Sequence, residues 1–284
     1  MTDTHTAALP PRVRSRWLAP GLLFPTAAVA LVALMALAPG LFTSIGPEAI
    51  DVQAIFQPPS AAHWFGTDQL GRDLFSRVVH GSALSLGIGI GAMLLSCVGG
   101  IALGTAAALA PAPWRGLLER LIDLLLAFPE LLLALLVIAV LGRGPQNTLL
   151  AVGLAGVASY ARLARSQVLR VKLSGYVEHA VALGERPSVI ILRRIVPNTT
   201  RPLLILATIG VGHAVLEASA LSFLGLGVVP PTAEWGALLA DGRSYLDVAP
   251  WLSLLPASVV AASVIAITVL GRRLRALVAN DDAL

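Results

Sequence analysis

The chain has 284 residues, of which 56% are hydrophobic and only 13% charged, and its mean hydropathy is +0.82. Soluble domains carry about 25% charged residues, so an ordinary water-soluble enzyme or regulator is excluded. A net charge of +4 would fit nucleic-acid binding, but the placement of the basic residues explains it otherwise.

Arg12, Arg14 and Arg16 precede the apolar stretch Ala19–Pro39. The shape is that of a signal peptide, yet the apolar run is longer than a typical signal core and further hydrophobic segments follow. It reads as a retained first span. Uncharged or nearly uncharged segments fall at 19–39, 81–110, 121–141, 146–161, 202–224 and 249–270. In lipid a helix satisfies its own backbone hydrogen bonds and an open strand does not. At 1.5 Å per residue, about 20 residues cross the roughly 30 Å of hydrocarbon. The prediction is an all-α integral membrane protein with six transmembrane helices.

Placing the N-terminus inside assigns sixteen of the twenty Lys and Arg residues to inside segments 1–18, 111–120, 162–201 and 271–284. Only Arg72, Arg77, Arg143 and Arg243 fall outside. That asymmetry is the positive-inside signal, and it predicts cytoplasmic termini and accounts for the basic charge without nucleic acid. The chain divides into a cytoplasmic tail (1–18), a first helix (19–39), a periplasmic segment (40–80), a membrane core (81–271) with a long cytoplasmic loop (162–201), and a second cytoplasmic tail (272–284).

Within the periplasmic segment, Leu70, Leu74 and Val78 share a face of an amphipathic stretch over 70–79, while Arg72, Asp73 and Arg77 face elsewhere. This predicts a helix lying on the outer interface, packed over the bundle, with a gate or docking surface as the alternative. The second span carries Gly87, Gly89 and Gly91, then Gly100 and Gly104. Small residues four apart let a neighbouring backbone approach closely. Cys97, the single cysteine, lies in this apolar run, which excludes a disulfide framework and a cysteine zinc site and leaves a small buried residue.

The third span holds Glu130 just after Pro129, with Asp123 nearer its inner end. Both are expected to pair with arginines such as Arg162 and Arg165. The long inside loop reads as a helix ended by Gly184, a turn at Arg186-Pro187, and a second helix ended by Pro197. Such an elbow is a rigid knob that a partner can move. In the fifth span His213 and Glu217 stand four apart and share a helix face. They are candidates for lining a pathway, or else for an interhelical hydrogen bond. Two groups alone fall short of a metal site, so no metal and no cofactor is assigned.

Lys172 is the only lysine and no Gly-x-x-x-x-Gly-Lys stretch precedes it, so no phosphate-binding loop of that kind exists in the chain. No nucleophile–base pair or two-carboxylate arrangement is evident either, and the chain is not read as an enzyme.

Three stretches carry a family resemblance. Residues 176–198 resemble the cytoplasmic coupling loop of ABC-importer permeases: Glu178, Ala180, Gly184, Ile195 and Pro197 fit its pattern, while His179, Ser188 and Val196 depart from it. The run from His63 to Arg77, containing Phe65-Gly66-Thr67-Asp68 and Gly71-Arg72-Asp73, resembles the signature before the second span of nickel, dipeptide and oligopeptide permeases. Leu221–Gly227, followed by Pro230-Pro231-Thr232-Ala233-Glu234-Trp235-Gly236, resembles the signature after their fifth span. Where relatives often end in Gly-Asp-x-Leu-Arg-Asp, this chain has Gly271-Arg272-Arg273-Leu274-Arg275.

The resemblance implies the second permease subunit, nickel- or dipeptide-type, of a binding-protein-dependent importer in the bacterial inner membrane, with type I architecture. It implies a heterodimer with a homologous permease, two ATP-binding subunits docked on Glu178, His179, Ala180, Gly184, Ile195 and Pro197, and a periplasmic substrate-binding protein. The expected cargo is a nickel or metal chelate, or a di- or oligopeptide. Stretches 206–213 and 231–236 lean towards nickel permeases. An ion-coupled secondary transporter or channel is the competing class.

Overall fold

The computed structural model describes residues 20–281; the Arg12–Arg16 cluster, the N-terminal tail and the last three residues lie outside them. Among the described residues ten α-helices follow one another: α1 (Pro20–Leu37), α2 (Leu74–Leu109), α3 (Ala112–Leu126), α4 (Glu130–Leu141), α5 (Pro145–Lys172), α6 (Gly175–Ala182), α7 (Pro187–Ile190), α8 (Val196–Phe223), α9 (Trp235–Arg243) and α10 (Trp251–Asp281). Among the described residues the only β contact is a single antiparallel bridge between Thr67 and Asp73. The all-helical expectation holds.

Among the described residues, three helical runs are long and apolar enough to cross a membrane: Leu74–Leu109, Pro187–Phe223 and Trp251–Leu277. A fourth arises if α3 and α4 act together, although they meet at 94°. That bend corrects the reading of 121–141 as one straight span. Pro129 has no backbone N–H to continue a helix, and the helix stops at Leu126 and restarts at Glu130.

The expected separate interfacial helix over 70–79 is also corrected. The chain turns through 66–73 and α2 begins at Leu74, with the Asp73 carboxylate accepting from Ser76 N at 2.7 Å. An aspartate in this position satisfies one of the free N–H groups of the first turn. Leu74, Val78 and Val79 are buried in protein, so the apolar stripe is the first part of α2 and belongs to the core.

Pro197 does not end a helix as expected. A π-helical turn at Ile191–Ile195 joins α7 to α8, so the run is continuous from Pro187 to Phe223. The wider turn lets the helix pass a residue with no N–H and a bulky ring.

The core sits where α2, α5 and α8 meet, around Ile88, Ala92, Val152, Ala155, Ala214 and Leu221. At Gly100 an added Cβ would stand 2.3 Å from Tyr160 Cβ, and at Gly104 2.2 Å from Ala161 O. The two glycines four apart therefore let α2 and α5 touch backbone to backbone, as the spacing predicted.

Candidate functional site

The 28 residues of α8 connect three features. At its C-terminal end, the two signatures flanking the membrane core fold onto each other. Asp68 is 5% exposed; its carboxylate accepts from Leu70 N, from Arg72 N and, at 2.7 Å, from Arg72 Nε, with Arg77 Nη1 at 3.4 Å. Arg77 also donates to Pro231 O at 3.4 Å. Glu234, 1% exposed, caps α9 by accepting from Gly236 N and Ala237 N, each at 2.9 Å. Trp235 is fully buried and its indole N–H donates to Val78 O at 3.0 Å. Gly71, at φ +72, is packed so closely that a Cβ there would lie 1.7 Å from Asp51 O. The signatures thus form one polar clamp around the start of α2. That supports packing over the bundle, the first of the two expected roles.

Midway along α8 lies a cavity of about 310 Å³ lined by residues of α2, α4, α5 and α8. His213 and Glu217 both face it, as their spacing predicted, and they are joined by Glu130 at the start of α4. One ligand atom from each of the three lies within 4.8 Å of the other two. Sequence reasoning missed the third member. Asp123 does pair with Arg162, at 2.6 Å, and Arg165 pairs with Glu119, but Glu130 is turned away from these arginines and into the cavity. The 94° break between α3 and α4 is the cause, since it re-aims the first residue after Pro129. An ionisable residue in an otherwise uncharged span was the available signal.

Two glycines shape the walls of this cavity. A Cβ at Gly156 would come within 2.9 Å of Glu130 Oε1 and 2.5 Å of Ser96 Oγ, and one at Gly210 within 2.1 Å of the Tyr160 hydroxyl. Neither Lys nor Arg lines the cavity.

At the N-terminal end of α8 stands the elbow. Gly184 N donates to Val181 O at 3.0 Å and Glu185 N to Ala180 O at 3.1 Å, with Gly184 at φ +75. This pair of bonds closes α6 in a Schellman motif, for which glycine is the preferred residue. Ala180 and Ile195 are buried with Ala108, Val168, Val177 and Ile190, so α6 is anchored on α2, α5 and the π turn. Glu178, His179, Gly184 and Pro197 are exposed, as are Tyr176, Val181 and Leu183. Arg194 donates to the Glu185 carboxylate, 3.0 Å from Nε to Oε2, and this hydrogen bond holds the Glu185 carboxyl below its ordinary value. The six elbow residues therefore split into an anchoring pair and an outward-facing set.

The sequence pattern of the binding-protein-dependent transport system inner membrane components matches residues 100–280. The chain belongs to that family. It is 39% identical over 242 residues to a dipeptide transport system permease of Alkalihalophilus pseudofirmus, spanning 85% of this chain and 80% of the relative. It is 40% identical over 227 residues to a di/tripeptide transport system permease of Pseudomonas aeruginosa, 78% of this chain and 75% of that one. A glutathione transport system permease of Escherichia coli O157:H7 is 39% identical over 217 residues, 76% and 72% respectively. Inward-facing structures of the MetNI methionine ABC transporter share the fold: one has a TM-score of 0.59 at 17% identity, covering 72% of this chain and 97% of that one. The chain is an integral inner-membrane permease of the ABC-importer class, as the family resemblance implied.

Proposed function

We propose that this permease forms half of a translocation pathway in a six-span arrangement with both termini cytoplasmic, and couples that pathway to ATP hydrolysis by separate subunits. The observation that carries the reading is the elbow. Its helix α6 packs through Ala180 against Ile195 and the bundle, and it presents Tyr176, Val181 and Leu183 outward; after the turn at Gly184 a single helical run, Pro187–Phe223, leads into the wall of the cavity. An exposed apolar patch on a firmly anchored helix is a surface for a partner protein. A push on it is transmitted along α8 to His213 and Glu217, about 25 and 31 Å away by helical rise counted from Val196.

The partners in this reading are a homologous permease subunit, two ATP-binding subunits and a periplasmic substrate-binding protein. Closure of the ATP-binding subunits moves the elbow and switches which side of the pathway is open. The cargo is a short peptide, as the names of the dipeptide, di/tripeptide and glutathione relatives state for themselves. A nickel or other metal chelate is the second reading, favoured by the imidazole and carboxylates in the cavity. The test is to purify the assembly from membranes through a tag on this chain. An ATP-hydrolysing subunit is expected to accompany it, with an activity stimulated by the neighbouring binding protein; an isolated chain with no associated ATPase would contradict the reading.

A further inference from the structure

We propose that Glu130, His213 and Glu217 form a transit site for a divalent first-row transition-metal ion. The inference rests on the pathway reading above and on its second cargo, a metal or metal chelate, rather than on the peptide.

The donor set points to the class of ligand. An imidazole nitrogen with two carboxylate oxygens suits divalent cobalt, nickel, zinc or manganese, and carries up to two negative charges that a divalent ion balances. No Lys or Arg lines the cavity to balance them instead. Glu217 Oε2 is buried and accepts no hydrogen bond, and leaving a carboxylate oxygen in that state is costly unless it has a partner. Gly156 gives Glu130 its place: with a Cβ there, Oε1 would be met at 2.9 Å.

The geometry is close to what a metal needs. The three donor atoms lie within 4.8 Å of one another, whereas ligands at about 2.0–2.2 Å from one ion stand roughly 3 to 3.5 Å apart. Movements of about an ångström by each side chain close that difference, and glutamate rotamers supply them. Three protein donors leave at least one coordination position for water or for a donor atom of a carried chelator. His213 is not covered by the rest of this chain, so its imidazole is on the face that a second permease subunit would share in the pathway reading above. An incomplete shell with an exposed member suits passage rather than permanent retention.

The experiment uses the whole transporter, purified with a tag that contains no histidine and titrated with Co²⁺, Ni²⁺ and Zn²⁺ by calorimetry and by visible absorption of bound Co²⁺. One ion per copy of this chain is expected, with affinity falling at least about tenfold in each of His213→Ala and Glu217→Gln. Glu130→Gln is expected to do the same, and all three variants to keep the parent's melting temperature within a few degrees. No saturable binding by the parent, or unchanged affinity when the three substitutions are combined, overturns the site. ATP-driven uptake by the parent in proteoliposomes is measured in parallel: its presence without metal binding rejects the site alone, and its absence rejects the permease reading on which the site rests.

Discussion

Ser85 Oγ, in the fourth turn of α2, donates to Glu234 Oε1 at 3.0 Å and accepts from Trp235 N at 3.0 Å, joining residues about 150 positions apart. Glu234 is at once the cap of α9 and the anchor of that helix on α2. Glu234→Ala removes a cap worth about 1 kcal/mol and strands buried N–H and O–H groups at about 1–3 kcal/mol. A loss of about 3 kcal/mol is expected, against about 1 kcal/mol for Ser85→Ala. Melting of the purified protein in detergent checks the order; equal effects would show that the cap and the tether do not share one carboxylate as described.

Asp68 holds the other half of the clamp. Arg77 is 1% and Arg72 5% exposed, so Asp68→Ala leaves both guanidinium groups buried without their shared partner. Breaking a buried pair in this way costs about 3–5 kcal/mol. The expected outcome is little folded protein in the membrane fraction, measured by quantitative blotting beside an exposed control such as Asp51→Ala.

Gly184 holds α6 closed with a backbone at φ +75. A β-branched residue there costs about 1–3 kcal/mol of strain, and Gly184→Val is expected to open the Schellman closure without disturbing the clamp at the far end. ATP hydrolysis by the assembled transporter should persist while substrate moved per ATP falls. Unchanged uptake would count against the elbow as the coupling element.

The Glu185–Arg194 pair braces the same turn. Arg194 holds the Glu185 carboxyl below its ordinary value of 4.5, so the folded form binds its proton less readily than the unfolded chain. The contribution is therefore complete above pH 4.5 and is lost as pH falls through the lower, folded value. Hydrogen exchange over 183–195 is expected to be flat from pH 8 to 5 after correction for intrinsic rates, and to quicken only in acid. Glu185→Gln should show the quickened exchange already at neutral pH.

Much of this was legible in the sequence for physical reasons. Composition and long apolar runs reflect the bilayer directly. Gly184 had to end a helix because a left-handed backbone position favours glycine, and His213 and Glu217 had to share a face because they stand four apart. What the sequence concealed depends on contacts between distant segments. Leu74 and Val78 read as one face of a separate interfacial helix because nothing local says that α2 begins there and that Ala249, Leu252 and Trp235 cover them. Glu130 read as an arginine partner because the direction in which a helix restarts after Pro129 is set by packing. Pro197 read as a stop because a π turn that carries a helix past proline has no short sequence mark.

The most direct test of the account is substrate uptake by the reconstituted transporter, with its binding protein, in vesicles that are depleted of ATP but keep a proton gradient. Uptake should cease on depletion and return when ATP is restored inside. Continued uptake driven by the gradient alone would contradict the account and favour an ion-coupled transporter.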